Sequence, residues 1–366
     1  MDTAIRIEVL PARLGDCLLV ECVRGSGPPW RMLVDGGPPG TWPRLEKRLG
    51  RLEPDERHID VAVVTHIDSD HIGGMLSFLR SEYAEDVGDY WFNGPPHLPS
   101  RGRVEGSVAE GQSLIAALLG ESAGPVLPWN RAFGGGPIDT GDESGFIEVP
   151  VPDGPQITVL SPTNERLVML QHEWAEAVDQ ARRGWQGVRP EPDLVRSDVL
   201  EPLGDLAALA ARKTADDTTA PNGSSIALLI EHRGARAVLG ADAFGPVLGA
   251  GLRGVAAHRG LPALELDAFK LPHHASRRNV TEALLEAAPA RHYLVSTNGD
   301  TYHHPDDEAL ARVILNAPDG LTLWFNYRTL RTARWEDPQL YERYGYSARF
   351  PEAPETGTVL ELPATA

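Results

Sequence analysis

Between positions 61 and 74 the chain reads Val61-Ala-Val-Val-Thr-His66-Ile-Asp68-Ser-Asp70-His71-Ile-Gly-Gly74. An apolar, β-branched run leads straight into two imidazoles and two carboxylates, and a Gly-Gly pair then opens a helix. Burying four such side chains without partners would be costly. A pair of divalent cations removes that cost, because neutral imidazole and ionised carboxylate are the ligands such ions take. The plainer alternative is a polar loop that caps the next helix through Ser69 or Asp70. That alternative leaves the grouping of four ligand-type residues to chance.

Other positions could share this chemistry. Asp242 closes the run Ala235-Arg-Ala-Val-Leu-Gly-Ala-Asp242, where a strand-to-helix turn is the bland reading. His273 and His274 follow a strand of buried type, and His304 precedes Pro305 in a polar loop. His97 comes after strand-type residues and a Gly-Pro turn. His172 lies in a helical run, where a surface histidine is the simpler explanation. Arg277 and Arg278 could add positive charge beside the His-His pair, although exposed arginine pairs are common. Gly134-Gly-Gly136 is not followed by Lys-Ser/Thr and makes no P-loop; His172-Glu-Trp-Ala-Glu lacks a second zincin histidine. No Gly-x-Ser-x-Gly elbow occurs.

Short apolar runs at 5–10, 17–23, 32–34, 61–65, 90–92, 157–160, 225–231, 235–239, 264–271, 293–296 and 321–325 read as strands that form sheet core. Helical patterns fall at 74–83, 113–119, 281–288 and 306–315. Consecutive strands open the chain and helices then alternate with strands, which predicts two mixed sheets faced by helices. Residues 164–221 differ: two helical runs flank a Pro- and Arg-rich turn, and 214–221 reads as a polar linker. This stretch reads as a helical insertion, and 331–366 as a C-terminal extension that wraps the body.

Composition narrows the class. In 366 residues, 34 Lys+Arg oppose 52 Asp+Glu for a formal charge of −18, which disfavours coating of duplex DNA. Apolar residues at 42% and charged residues at 23% are ordinary for a soluble globular protein and exclude whole-chain disorder or coiled coil. Cys17 and Cys22 are five apart on one strand-like run, so they point to opposite faces and do not pair. The N-terminus lacks a basic region before an apolar run of signal length, and no stretch is long enough to span a bilayer. A reducing, cytoplasmic setting without a membrane is the expectation.

The motif His66-x-Asp68-x-Asp70-His71 followed by Gly-Gly resembles the metallo-β-lactamase fold, and Asp68 at its third position resembles the ComEC-type competence-protein branch. Gly15-Asp-Cys-Leu-Leu-Val with Met32-Leu-Val-Asp35-Gly-Gly37 is similar to the opening strands of that branch. Asn222-Gly-Ser-Ser-Ile-Ala-Leu-Leu-Ile, Ala241-Asp242, Phe269-Lys-Leu-Pro-His273-His274-Ala-Ser276 and Ser296-Thr-Asn-Gly with His304-Pro305 resemble its later motifs, with Ala241 and Ala275 standing where the family has glycine. The resemblance implies an α/β, metallo-β-lactamase-like αββα sandwich of two mixed sheets with outer helices. It forms one domain over 1–366, interrupted by the 164–221 insertion.

The resemblance further implies that His66 and Asp68 hold one metal ion, that Asp70 and His71 hold the other, and that Asp242 bridges them. His274 is favoured as a ligand and His273 as a group facing substrate, an order the sequence leaves open. The family's additional histidine would be His97, with His172 the other candidate, and Asp35 would brace the first loop. The implied activity is hydrolysis by a hydroxide held between two divalent ions, Zn²⁺ or Mn²⁺. Asp70 would orient the hydroxide, while His273 or His304 would stabilise the developing oxyanion. The branch points to a phosphoester, most plausibly a phosphodiester in a nucleotide or in single-stranded nucleic acid. Hydrolysis of another ester, lactone or amide, or a non-catalytic interaction module on the same fold, are the competing readings. Protein partners are not legible.

Overall fold

The computed structural model describes residues 2–99, 127–141, 145–151, 153–187 and 200–365; the expected helix at 113–119 lies outside them. The first half contains β1 (Thr3–Val9), β2 (Leu18–Cys22), β3 (Trp30–Val34), α1 (Trp42–Leu49), β4 (Ile59–Val63), α2 (Ser69–Phe78) and β5 (Val87–Trp91). Next come β6 (Ile147–Val149), β7 (Gln156–Ser161), α3 (Asn164–Gly187), α4 (Leu206–Ala210) and α5 (Ala220–Gly223). The second half continues with β8 (Ala227–His232), β9 (Ala235–Leu239), α6 (Gly245–His258), β10 (Leu266–Lys270), α7 (Glu282–Ala287), β11 (Ala290–Val295) and α8 (Asp307–Asn316). It closes with β12 (Thr322–Phe325), α9 (Leu330–Ala333), α10 (Pro338–Tyr344), β13 (Ser347–Arg349) and β14 (Thr358–Pro363).

Both sheets are mixed. One runs β14-β1-β2-β3-β4-β5, antiparallel as far as β3 and parallel from β3 to β5. The other runs β13-β12-β11-β10-β9-β8-β7-β6, parallel from β13 to β9 and antiparallel beyond. Alternate residues of facing strands, such as Ile5, Ile7, Val63, Leu228 and Ile230, fill the layer between the sheets. Leu33, Ala62, Leu45, Phe78 and Trp174 pack helices onto the outside of the first sheet. Leu229, Val238, Leu248, Leu252 and Leu310 do the same on the second. The result is the αββα sandwich. β4 is buried on both faces, as a central parallel strand should be.

Two segments are more deeply built in than their sequences imply. In α3, Leu167, Leu170, Trp174, Ala177, Val178 and Ala181 form one helical stripe that joins the core against the first sheet. The segment read as an insertion therefore supplies part of an outer layer. The 331–366 extension adds an edge strand to each sheet, with β14 antiparallel to β1 and β13 parallel to β12. In β14, Thr358, Leu360 and Leu362 are buried while Val359, Glu361 and Pro363 face out, a period-two pattern. The helix α6 has no counterpart in the sequence reading because its glycines lower helix propensity. Tertiary packing of Leu248, Leu252 and Val255 overrides that preference.

Cys17 and Cys22 are both free and buried, in different core layers on opposite faces of the first sheet. Among the described residues, no helix is long and apolar enough to cross a membrane.

Candidate metal centre

The loops that follow β3, β4, β9, β10 and β11 meet at one edge of the sandwich. The β4 loop turns directly into α2, whose N-cap is Asp68. The Asp68 side chain makes no capping hydrogen bond, so its carboxylate is left for another role. The Gly-Gly pair lets α2 press against the loop after β3: a Cβ on Gly74 would lie 1.9 Å from the Gly36 carbonyl oxygen. Gly15 serves the same end, because a Cβ there would lie 1.7 Å from the Asp70 carbonyl oxygen.

Non-glycine residues around this edge hold left-handed backbone, among them Asp35, Ala241, His273, His274 and Ala275, with φ of 58°, 45°, 48°, 52° and 64°. Each costs roughly 1–2 kcal/mol relative to the right-handed form. Strain of this kind persists only where surrounding contacts fix it, and it gathers at functional sites. Ala241 and Ala275 are the positions at which the resembled family carries glycine.

The side chains converge. One ring nitrogen each of His66 and His71 and a carboxylate oxygen of Asp242 lie within 4.8 Å of one another, as do the ligand atoms of Asp70, His71 and His274. Asp242 Oδ2 is 3.4 Å from His71 Nε2 and 3.6 Å from His274 Nε2, while Asp70 Oδ2 is 3.7 Å from His274 Nε2. Asp68 Oδ2 is 3.5 Å from His66 Nε2.

The remaining ring nitrogens are already engaged. His71 Nδ1 lies 2.8 Å from Asp35 Oδ2, His274 Nδ1 donates to the Ser296 carbonyl at 2.8 Å, and His66 Nδ1 is 3.0 Å from Thr65 Oγ1. Asp35 also accepts from the Thr65 amide at 2.8 Å and the Thr65 hydroxyl at 2.7 Å, so one carboxylate braces two of the rings. Such partners orient an imidazole so that Nε2 faces inward as a ligand. Nε2 of His66, His71 and His274 and Oδ1 of Asp242 are buried without a hydrogen-bond partner among the described residues. Orphaned polar atoms aimed at one point are what a divalent cation satisfies, and the imidazole–carboxylate set suits Zn²⁺ and Mn²⁺.

The electrostatics of the protein alone tell the same story. Burial would raise the Asp242 carboxyl, but His274, His71 and His273 hold it well below the ordinary carboxylate range. Burial likewise works against Asp70, which His71 and His274 nevertheless keep low. Burial disfavours charge on His274, yet Asp242 and Asp16 push it up to about 9. His71 is raised in the same way by Asp242, Asp35 and Asp70, against burial.

A raised histidine adds stability that is complete below its ordinary value of 6.5 and is lost as pH climbs through about 9. The depressed carboxylates act in the other direction and give up their contribution only in acid. Chelator-treated protein is therefore expected to lose thermal stability between pH 6.5 and about 9. Divalent ions compete with these protons, so loading should release protons and flatten the loss. Melting curves with and without chelator across that range check this; a chelated Tm that stays level would contradict it.

His97 stands apart. Its Nδ1 accepts from the Gly94 amide at 3.3 Å, its ring packs edge-on against Trp129, and burial pushes its pKa down. Among the described residues it belongs to no group of three or more candidate ligands. The Gly-Pro turn after β5 folds the ring under Trp129, which spacing along the chain does not reveal. His172 is exposed on α3.

His273 and His304 line a cleft of about 410 Å³ together with Asp68, Asp70 and Asp242. Arg277 and Arg278 are at its rim. Arg277 is tied to Glu308 at 3.3 Å, whereas the exposed Arg278 guanidinium has no partner among the described residues.

Three contributors escape sequence reasoning. Lys270 and Asp16 form a buried ion pair behind His274, and Lys270 also donates to the Ala241 carbonyl at 3.2 Å. Lys270 is one of only three lysines in the chain and sits inside a buried strand, which is a usable signal. Asp217 lies in the segment read as a polar linker and is buried against His273. Tyr302 is 60% exposed, and its partial burial together with the nearby Asp70, Asp68 and Asp242 raises its hydroxyl.

Fold and site together fit a metallo-β-lactamase-like sandwich whose clustered His and Asp side chains could hold metal. Residues 15–107 match the model of the metallo-beta-lactamase superfamily. That stretch holds Asp35, His66, Asp68, Asp70 and His71, and the second sheet brings Asp242 and His274 to them. No curated protein matches the chain. The match and the clustered His and Asp side chains support a metal-dependent hydrolase as the class.

Proposed function

We propose that this chain is a metal-dependent phosphoesterase, acting on a nucleotide-like or single-stranded nucleic acid substrate. The observation that carries the reading is the convergence on Asp242 of buried Nε2 atoms of His66, His71 and His274 that have no hydrogen-bond partner among the described residues, with Asp68 and Asp70 alongside. His66, Asp68 and Asp242 would hold one divalent ion; Asp70, His71, His274 and Asp242 would hold the other. A pair of such ions supplies Lewis acidity and activates water at neutral pH. Around them the chain itself binds and orients: Asp35 and Ser296 fix the rings, and His273 and His304 face the cleft.

An anionic substrate is supported by the exposed Arg278 guanidinium at the cleft rim, which has no partner among the described residues, since arginine pairs bidentately with phosphate oxygens. Arg278→Ala is expected to raise KM by about tenfold while leaving kcat within a factor of about two. That split is what loss of uniform binding by one charge-assisted contact produces. Steady-state kinetics measure it, and an unchanged KM would remove Arg278 from recognition. The high negative charge of the chain favours a small or single-stranded substrate over a duplex.

The deciding experiment is metal analysis of the purified chain beside hydrolysis of bis-p-nitrophenyl phosphate with added Mn²⁺ or Zn²⁺, with Asp70→Ala as control. About two ions per chain and Asp70-dependent turnover support the reading. Folded protein that takes up no metal and turns nothing over would overturn it.

A further inference from the structure

Asp217 collects donors from every side. Its Oδ1 accepts from the amide and the hydroxyl of Thr219, both at 3.1 Å. Its Oδ2 accepts from Asn222 Nδ2 at 2.7 Å and Asn279 Nδ2 at 3.2 Å, and lies 3.1 Å from His273 Nδ1. Asn279 Nδ2 also faces the carbonyls of Asp242 and Ala243, at 3.3 and 3.1 Å, which leaves Asn279 Oδ1 as the atom 3.0 Å from His273 Nδ1. His273 Nδ1 therefore meets two acceptors at 3.0–3.1 Å, a carboxylate oxygen and an amide oxygen, while the Asn222 amide nitrogen, already donating to Asp217, stands farther off at 3.4 Å. An ionised carboxylate only accepts, so the two shorter contacts place a hydrogen on Nδ1.

Nε2 is then the atom of His273 left to act. It lies 3.8 Å from Asp242 Oδ2 at the wall of the cleft, and the ring is 5.3 Å from that of His304. Among the described residues, His273 belongs to no group of three candidate ligands. Its oriented nitrogen thus addresses what enters the cleft.

We infer that Asp217 is a positioning residue that locks His273 in its Nδ1–H form and turns Nε2 toward the substrate. The inference rests on the hydrolase reading for the word substrate, and on geometry alone for the ring. The segment before α5 thereby acquires a role in the site. By closing over the His-His loop, it brings an orienting carboxylate to a centre whose candidate ligands come from elsewhere. Carboxylates behind a working imidazole commonly act by fixing tautomer and orientation.

Imidazole nitrogen NMR of the full chain tests this, with His273 assigned through His273→Gln. The expected spectrum shows a hydrogen on Nδ1 of His273, and Asp217→Asn moves that signal toward the average of the two neutral forms. In turnover assays on bis-p-nitrophenyl phosphate, Asp217→Asn should lower kcat about 10- to 100-fold. KM should stay within about twofold, the pattern of an interaction made in the transition state. Metal content should be unchanged, and Asp217→Asn should add no further loss in the His273→Ala background. A bare Nδ1 in the native chain, or losses that add in the double variant, would overturn the inference. If no form of the chain hydrolyses the diester, the hydrolase reading fails. The NMR signal still decides whether Asp217 sets His273.

Discussion

Asp242→Asn is expected to reduce hydrolysis by about 10³-fold or more, roughly 4 kcal/mol of barrier. Bound metal is expected to drop from about two ions per chain to one or fewer. Asp242 is the carboxylate that reaches both sides of the centre: it groups with His66 and His71, and it groups with His274. Its Oδ1 has no hydrogen-bond partner among the described residues, and its Oδ2 is within 3.4–3.8 Å of Nε2 of His71, His274 and His273. Asparagine keeps the shape, so the fold should survive, but it withdraws the negative charge that two cations would share. The same charge holds His274 up to about 9, so the pH-dependent loss of stability in chelated protein should shrink in this variant. Metal analysis, turnover and melting curves on one preparation measure all three effects. Wild-type metal content and turnover in Asp242→Asn would show that Asp242 is not a shared ligand.

Lys270→Met is expected to destabilise the protein by about 3–5 kcal/mol, the cost of stranding one member of a buried ion pair. Lys270 and Asp16 are both almost fully buried, and Lys270 faces Asp16 and the Ala241 carbonyl. Without the ammonium group, Asp16 keeps His274 as its nearest cationic neighbour, at 3.5 Å. From the strand that leads into the His-His loop, the lysine also ties the turn after β1 to the turn that carries Asp242. Metal affinity should therefore weaken as well, as it does when the support behind a ligand is removed. Pairing Lys270→Met with Asp16→Asn should recover much of the stability, because no uncompensated buried charge then remains. Denaturant unfolding of the single and double variants provides the check. If Lys270→Met cost less than about 1 kcal/mol, the pair would be incidental.

The His-Asp motif is legible because its residues are local. His66, Asp68, Asp70 and His71 lie within one strand-to-helix turn, and that turn places all four at one edge whatever else the chain does. The two-sheet architecture is legible too, since the β-branched runs keep their strand character and the buried stripes follow periods of 2 and 3.6. The bracing role expected of Asp35 agrees with the structure, which puts its carboxylate 2.8 Å from His71 Nδ1.

The sequence by itself determined the sandwich, the ligand-rich turn after β4, and the separation of the two cysteines onto opposite faces. These follow from side-chain periodicity and nearest-neighbour spacing, which need no knowledge of distant contacts. Only the tertiary structure decided that His97 folds under Trp129, and that Asp217 crosses from an apparent linker to reach His273. It also decided that Lys270 balances Asp16 behind His274. Each of those outcomes depends on which loops meet at the shared edge of the two sheets. The pairing is between residues 32 to 254 positions apart, and it is set by packing and by the need to compensate buried charge rather than by local pattern.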